Sequence, residues 1–406
     1  KMMRLRRGKP RKIGFSIVIL IELMPLLYYK YSNLTLDVLN HLLRSNFAPL
    51  QLLLPIGISF YTFQAISYTI DVYKEHFTKK TNLLDYCFYL TFFPLLIAGP
   101  ITRAHILIPQ INTPQLTNKQ LINTGLWLII CGMLKKALVA DYLAQYNNWI
   151  FADPLAYTGF ENLMGVLGFT LQIYCDFSGY SDMAIGIAAL MGFQLPNNFN
   201  SPYQSLNLTE FWHRWHITLS QWFRDYIYIP LGGNRKGELN TYRNTIITMI
   251  VAGLWHGASG MFALWGGLHG IGLTVHKFAC NRGFNKIPNT IYVKIFCWTI
   301  TFTYISVAWI FFRSHDIHTA LNIIGKITTD LHLIDIQNFI NARLLWIMLL
   351  AVSLELHSIR QSDYKWLQQK FIALPWVAKL VIFLFVLQLV INLSQNNIQP
   401  FIYTQF

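Results

Sequence analysis

The chain alternates long apolar runs with short polar connections, many of which carry Lys or Arg. Several runs approach the roughly 20 residues that an α-helix needs to cross the hydrocarbon core of a bilayer. This pattern predicts an all-α, polytopic membrane protein, in which the polar residues 313–341 form a surface loop or an interfacial helix. The apolar runs lie at residues 13–29, 50–80, 83–103, 121–144, 159–191, 292–312, 344–357 and 377–393.

The run at residues 83–103 is interrupted by Pro94 and Pro100. Irregular backbone at membrane depth survives only where protein or water satisfies its polar groups. We therefore expect residues 83–103 to form a broken or re-entrant segment beside a central cavity, lined by His216 and His256.

Two other runs contain charged residues. Lys135 and Lys136 interrupt residues 121–144, and lysines in such positions usually extend their ammonium groups to an interface. Asp176 and Asp182 lie in residues 159–191, and we expect them to bond to Ser, Tyr or backbone groups, because buried acids are normally paired. The small residues around them suit close helix contact in lipid.

Composition agrees with a membrane protein. Of the 406 residues, 54% are hydrophobic and only 12% are charged, whereas a soluble domain carries about 25% charged residues. The net charge of +14 could suggest nucleic acid, but Lys and Arg cluster at the ends of apolar runs, as cytoplasmic loops do. We therefore expect no nucleic-acid partner, membrane lipids around the chain, and a cytoplasmic N-terminus.

No feature divides the chain into parts, so residues 1–406 are interpreted as a single membrane domain. Because the first residue is Lys, we expect N-terminal spans to precede the numbered chain. The five cysteines include no CxxC pair, so neither a disulfide framework nor a thiolate metal site is indicated.

The central stretch at residues 211–270 contains His216, His256 and His269 among apolar and aromatic neighbours. An ionisable residue inside a membrane-like stretch is a functional candidate by default. His216 precedes Pro230 by the same number of residues as Tyr242 precedes His256. If both arms are helices, each histidine lies roughly 21 Å from the connecting turn. A hairpin of this kind would bring His216 and His256 to similar depth.

A buried neutral histidine is suited to act as a general base on a hydroxyl group. No GxSxG sequence occurs, so a serine nucleophile of the hydrolase type is not supported. Glu210, His213 and His216 have the spacing of metal ligands on a helix, but a di-metal carboxylate site needs a second E-x-x-H sequence. We therefore expect no metal.

Three further features of this stretch have more than one interpretation. Residues 232–237 (GGNRKG) could cradle an anion such as a cofactor phosphate, or could be a cytoplasmic loop that obeys the positive-inside rule. His269 alone would more often be a structural histidine than a catalyst. The tryptophans serve packing or an interfacial belt; they are Trp212, Trp215, Trp222 and Trp255.

The segment FWHRWHITLSQWFRDYIYIPLGGNRKG, followed by GLWHG and GLHG, resembles the membrane-bound O-acyltransferase family. The similarity is greater to the bacterial polysaccharide O-acetyltransferases of the alginate and peptidoglycan type. Supporting stretches occur in order along the chain. They are LPIGISFYTFQAISYTIDVYK, FFPLLIAGPI, YCDFSGYSDMAIGIAALMGF, WIFFRS and PFIYTQF. His213 departs from the pattern, since the acetyltransferases commonly have Arg there, which leaves local charge pairing in doubt.

The resemblance implies roughly 9–12 transmembrane or re-entrant helices around a central tunnel, in the cytoplasmic (inner) membrane of a bacterium. It implies that His256 activates the acceptor hydroxyl or passes the acyl group, and that His216 orients the donor or the partner group. Acetyl-CoA would be the cytoplasmic donor substrate, with no permanently bound cofactor. The acceptor would be an extracytoplasmic polysaccharide, reached directly or through a partner acetyltransferase of the SGNH type. Residues expected at the donor side are Trp215, Arg224, Asp225, Arg235, Lys236, Trp255 and His269.

Two other functions remain open from the sequence. Teichoic-acid D-alanyl transferases of the same family share the RWH, WFRDY and WHG elements but are not known for IPLGGNRKG, so this loop favours acetyl transfer. A polysaccharide or lipid transporter could use buried histidines as a proton relay. Transporters often show internal repeats, and the sequence has none.

Overall fold

The computed structural model describes residues 9–113, 118–284 and 290–394. Within them the chain is all-α, which confirms the predicted fold class. The basic residues 1–8 and the C-terminal PFIYTQF lie outside the described residues. The α-helices are α1 (Lys9–Leu26), α2 (Ser32–Leu43), α3 (Ile58–Tyr73), α4 (Leu83–Thr91), α5 (Ala104–Ile111), α6 (Lys119–Met133), α7 (Asp141–Ala152), α8 (Gly159–Leu190), α9 (Leu208–Arg214), α10 (Ile217–Phe223), α11 (Glu238–His256), α12 (Gly260–Asn281), α13 (Ile291–Arg313), α14 (Ile317–Thr329), α15 (Leu333–Ser358), α16 (Gln361–Ala373) and α17 (Trp376–Ser394).

Wider and tighter helical turns occur between some of these helices. The π-helical turns affect where functional side chains lie, because an extra residue in a helix changes the direction in which the following side chains point. The π-turns are Leu27–Tyr31, Leu134–Ala140 and Arg224–Tyr228, and the 3₁₀-turns are Phe93–Leu95, Pro154–Ala156 and Pro202–Gln204.

Among the described residues, four stretches of helix are long and apolar enough to cross a bilayer: Pro10–Leu43, Ile291–Arg313, Leu333–Ser358 and Trp376–Leu393. They are mostly exposed on the outside of the protein. Apolar side chains that face outward in this way are stable in lipid, so these helices form part of a multi-pass membrane protein.

Helix α8 lies at the centre of the bundle, and most of its side chains are buried. It packs closely against α6 because both helices carry glycine at the contact. A Cβ atom on Gly132 would lie 2.5 Å from the carbonyl oxygen of Gly179, and one on Gly186 would lie 2.6 Å from that of Gly125. The expected close contact of small residues in residues 159–191 is therefore present.

Helices α11 and α12 form a second close pair in the same way. A Cβ atom on Gly253 would overlap the carbonyl oxygen of Phe262, and one on Gly266 would overlap that of Met249. This contact fixes the end of α11, where His256 is the last helical residue.

Residues 83–103 form the broken segment that the prolines predicted. After α4, Pro94 lies in the 3₁₀-turn Phe93–Leu95, and the chain is non-helical from the end of that turn to α5. Tyr89 before the break and Leu107 after it belong to one buried cluster together with Val72, near the end of α3. The segment thus enters the protein and returns to the same side.

The end of the bundle that carries Arg11, Asp71 and Asp225 is called the N-terminal face here. Arg11 pairs with Glu75 at 3.0 Å, which places the start of α1 beside the end of α3. Tyr226 donates a hydrogen bond to Asp71 at 2.9 Å, so the π-turn Arg224–Tyr228 and the loop that follows it also lie at this face.

The lysines in residues 121–144 pair with carboxylates. Lys135 pairs with Asp182 at 2.7 Å. Lys136 pairs with Asp141 at 2.8 Å and with Asp176 at 2.6 Å. The lysines turn inward because carboxylates on α7 and α8 are close enough to compensate their charge. Asp176 and Asp182 accordingly have lysine partners, and not only the Ser, Tyr or backbone partners that were expected.

Candidate active site

His216 does not lie within a continuous helix, so the expectation of an unbroken first arm was wrong. Helix α9 ends at Arg214, Trp215 is extended, and His216 begins α10 from the left-handed region, with φ 40° and ψ 56°. A left-handed conformation is uncommon for residues other than glycine, and such strain is concentrated at functional sites. The break turns the His216 side chain into the protein, where it is fully buried.

Asn198 holds the imidazole of His216 in one orientation. Its Oδ1 lies 3.1 Å from Nδ1 of His216, and it also accepts hydrogen bonds from the backbone N–H and the hydroxyl of Thr218. The backbone N–H can only donate, so this atom is the amide oxygen and Nδ1 of His216 must be the donor. A neutral His216 therefore keeps its lone pair on Nε2, a buried atom with no hydrogen-bond partner among the described residues.

His256 ends α11 in an aromatic enclosure. Its ring centroid lies 4.9 Å from that of Trp255, 5.1 Å from Trp265 and 5.3 Å from Phe312. Trp255 also contacts His216, at 6.2 Å between ring centroids. The fold thus brings His216 and His256 against one tryptophan, although 39 positions separate them in the sequence (256 minus 216, with both ends excluded).

Two chambers meet at His256. The first, called the loop-side chamber, has a volume of about 260 Å³ and is lined by residues that include Trp212, Arg224, Thr245 and His256. Arg224 begins the π-turn at the N-terminal face, so this chamber extends from His256 toward that face.

The second, called the Lys30 chamber, has a volume of about 180 Å³ and is lined by residues that include Lys30, Gly57, Trp255 and His256. Gly57 precedes the first residue of α3, whose other end lies at the N-terminal face. The two chambers therefore extend toward opposite ends of α3. At the rise of an α-helix, these two helix ends lie roughly 20 Å apart. His256 is the residue that their linings share. The expected cavity lined by both histidines is not what these chambers show, because His216 lies in neither lining.

The residues expected at the donor side occupy different places. Arg224 lines the loop-side chamber, and Trp255 lines the Lys30 chamber. Trp215 is buried in the main aromatic core. His269 is fully buried, and its Nδ1 accepts a hydrogen bond from Trp212 at 3.3 Å.

The charged residues of this group lie at the N-terminal face. Asp225 pairs with Arg103 and Arg224. Burial raises the pKa of Asp225, but hydrogen bonds from Arg224 and Arg103 outweigh it, so the pKa lies below its ordinary value. Arg235 and Lys236 are exposed beyond the chamber lining.

The loop at residues 232–237 is held in place by α11. Asn244 donates hydrogen bonds to the carbonyl oxygens of Leu231 and Gly233. Gly232 and Gly233 have φ of 115° and 55°, a region that favours glycine. The loop is thus a defined turn that follows Tyr228, a residue of the loop-side chamber lining.

Glu210 and His213 have different surroundings. Glu210 pairs with Arg214 at 2.7 Å, and His213 is exposed. Within residues 9–113, 118–284 and 290–394, no group of three or more His, Cys, Asp or Glu side chains is arranged to hold a metal ion.

Sequence reasoning missed Lys30 and Asn198. The apolar run expected at residues 13–29 ends just before Lys30, in the sequence YYKYS, but the apolar helical stretch continues to Leu43. Lys30 is therefore a charge within a stretch of membrane length, a signal of the same kind as the buried histidines. Asn198 lies in the connection NNFN, where nothing in the local sequence indicates that its amide would hold His216.

Comparison with known proteins decides the family. Residues 28–314 match the membrane-bound O-acyltransferase (MBOAT) family. The chain belongs to this family. The match covers both histidines, both chambers and the broken segment, so the structural features described above are those of a family member.

Individual relatives carry related names. A probable alginate O-acetylase, AlgI, of Pseudomonas syringae pv. tomato is 42% identical over 323 residues, which cover 79% of this chain and 61% of the relative. A peptidoglycan O-acetyltransferase of Helicobacter pylori is 40% identical over 323 residues, 73% of this chain and 61% of the relative. A teichoic acid D-alanyltransferase of Bacillus subtilis is 26% identical over 279 residues, 65% of this chain and 69% of the relative. The chain thus spans about three fifths of the length of the two acetyltransferases.

Proposed function

We propose that this protein transfers an acetyl group from acetyl-CoA toward an acceptor hydroxyl on the other side of a bacterial cytoplasmic membrane. The observation that carries the proposal is the position of His256 in the wall of two chambers that extend toward opposite ends of the bundle. A donor and an acceptor that approach from opposite faces can therefore meet at one imidazole.

In the proposed step, His256 takes the proton of the acceptor hydroxyl while its oxygen attacks the carbonyl carbon of the acetyl thioester. A tetrahedral intermediate forms and collapses, the C–S bond breaks, and the proton on His256 passes to the departing sulfur of CoA. The products are an acetyl ester and free CoA. Aromatic rings pack against the ring of His256 and would reduce the amount of water beside the thioester, which limits its hydrolysis.

His216 has a supporting role in this proposal. Asn198 directs the Nδ1–H of His216 away, so the lone pair of Nε2 remains available on the side of the ring that has no protein partner. Since His216 and His256 both contact Trp255, His216 can orient a group that is bound near His256.

The donor would enter through the loop-side chamber. A volume of about 260 Å³ can hold an acetyl thioester and part of the arm that carries it, while the nucleotide of CoA stays outside. Arg235 and Lys236 are exposed in the loop that follows the chamber residue Tyr228 and would bind its phosphates. By the positive-inside rule this mouth would face the cytoplasm.

The acceptor would be an extracytoplasmic polysaccharide, reached directly or through a partner acetyltransferase of the SGNH type. The names of the relatives at 42% and 40% identity support this substrate class. D-alanyl transfer is the second candidate, supported by a relative at the lower identity of 26%.

A reconstituted assay tests the proposal. The purified protein in proteoliposomes would be given acetyl-CoA labelled in the acetyl group, and both CoA release and acetylated product would be measured. We expect activity in the wild type, its loss in His256→Ala, and its retention in His276→Ala. His276 is a suitable control because it bonds to Thr209 and lies outside both chamber linings.

Absence of CoA release from the folded wild type, or activity in His256→Ala, would contradict the proposed function. Turnover of a D-alanyl carrier protein in place of acetyl-CoA would favour the second candidate.

A further inference from the structure

Lys30 lies beside His256, although 225 positions separate it from Trp255 along the chain. Its ammonium group donates hydrogen bonds to the carbonyl oxygens of Trp255, at 2.7 Å, and His256, at 2.8 Å. The hydroxyl of Tyr31 donates to the carbonyl oxygen of Leu254 at 2.8 Å. Three consecutive carbonyl groups at the end of α11 are thus held by two neighbouring side chains.

These carbonyl groups need such partners. The last four carbonyl oxygens of an α-helix have no intrahelical donor, and the partial negative charge at the C-terminus favours a cation. After His256 the chain continues through Gly257 in an extended conformation, without a backbone cap. Lys30 and Tyr31 therefore do what a helix cap would otherwise do.

The π-turn Leu27–Tyr31 makes this contact geometrically feasible. It inserts a wider turn between α1 and α2, and single π-turns of this kind are frequent at functional sites. Both side chains that reach α11 belong to this turn, so the irregularity and the contact with α11 coincide.

The charge of Lys30 is not compensated by an acid. In the part of the chain that the structure describes, Lys30 forms no ion pair with a carboxylate, and its partners are the two carbonyl groups. A half-buried cation at this depth is costly. It also lines the chamber on the side of His256 opposite the loop, where it can stabilise negative charge that develops during acyl transfer.

We propose that Lys30, assisted by Tyr31, is a positioning residue that fixes His256 at the junction of the two chambers and supplies positive charge to the Lys30 chamber. This inference rests on the proposed function. It assigns to the π-turn Leu27–Tyr31 a part in positioning the residue that performs the reaction.

The test compares Lys30→Met, Lys30→Arg and Tyr31→Phe in the proteoliposome assay, with kcat and the KM for acetyl-CoA measured separately. For Lys30→Met we expect kcat to fall by about 100-fold, the scale set by a small displacement of a catalytic group, with the KM for acetyl-CoA unchanged. Lys30→Arg keeps the charge and the donors, and should retain about a tenth of the wild-type kcat or more. Tyr31→Phe should lower kcat by about tenfold, as expected for the loss of one hydrogen bond.

Lys379→Met is a matched control. Lys379 is buried, and like Lys30 it donates to a carbonyl oxygen near a helix end, that of Ile372 in α16, and also to Asn123, away from both chambers. Its replacement should lower the melting temperature while the kcat of the folded protein stays at the wild-type value. If Lys30→Met behaved like Lys379→Met, with stability lost and kcat kept, the proposal would be overturned.

A structural measurement keeps the inference testable if the proposed function fails. In that case the wild type itself would release no CoA. Cryo-electron microscopy of Lys30→Arg and Lys30→Met in lipid nanodiscs would then show whether Lys30 positions the end of α11 and His256. We expect the end of α11 and the ring of His256 to keep their place in Lys30→Arg and to shift in Lys30→Met. An unchanged His256 in Lys30→Met, or failure of Lys30→Arg to hold it, would refute the positioning role.

Discussion

Replacing Asn198 by Leu should separate the role of His216 from simple packing. The substitution keeps the size of the side chain but removes an acceptor for three hydrogen bonds, from Nδ1 of His216, at 3.1 Å, and from the N–H and hydroxyl of Thr218, at 3.3 and 2.8 Å. Each buried donor left without a partner costs roughly 1–3 kcal/mol. The protein should therefore become less stable, and His216 should lose its fixed tautomer.

The expected effect on activity follows from the hydrogen bond to Nδ1. A bond worth about 1.4 kcal/mol changes a tautomer equilibrium by about tenfold, and a ring that can rotate loses further activity through misplacement. We expect kcat to fall by about 10- to 100-fold in Asn198→Leu, with the KM for acetyl-CoA unchanged, because Asn198 lies outside the loop-side chamber.

Asn162→Leu provides the control for this experiment. Asn162 is fully buried and donates hydrogen bonds to the carbonyl oxygens of Pro154, Tyr157 and Thr158, in a region without either histidine. The Asn162→Leu protein should be less stable than the wild type but should keep the wild-type kcat. Equal loss of kcat per folded molecule in the two variants, or full activity in Asn198→Leu, would refute the reasoning about His216.

Two further predictions concern charged groups. Lys136→Met should cost roughly 3–5 kcal/mol of stability, because Lys136 is the more buried lysine and pairs with two carboxylates. Lys135→Met should cost less. Thermal unfolding in detergent measures the stability of both variants, and equal losses would contradict the account. Replacing Arg235 and Lys236 together by Ala should raise the KM for acetyl-CoA by about tenfold at constant kcat. The KM of Arg224→Ala, a change in the chamber wall, is measured for comparison. An unchanged KM in the double variant would leave the loop with only a topological role.

Much of the fold could be predicted from local sequence. Apolar runs of membrane length predicted the helical architecture, and Pro94 and Pro100 predicted the broken segment, because each depends on a few neighbouring residues. The spacing around Pro230 placed His216 and His256 at similar depth if the two arms folded back, and in the structure both histidines contact Trp255.

The details of the site could not be predicted in this way, because they depend on contacts between distant residues. The left-handed backbone of His216 occurs where the N–H groups of the next two residues, Ile217 and Thr218, donate to the carbonyl and amide oxygens of Asn198. The inward direction of Lys136 depends on carboxylates of α7 and α8. Lys30 was visible as a charge in an apolar run, but its partners at the end of α11 could be found only in the folded chain.

Access to position 256 from both faces is the central claim, and cysteine labelling measures it most directly. The five native cysteines would be replaced by Ser, His256 by Cys, and a small charged thiol reagent added to one face of oriented proteoliposomes at a time. We predict labelling from each face, with protection by acetyl-CoA only when the reagent comes from the loop side. Labelling from a single face, or protection by acetyl-CoA against reagent from the Lys30 chamber alone, would contradict the account.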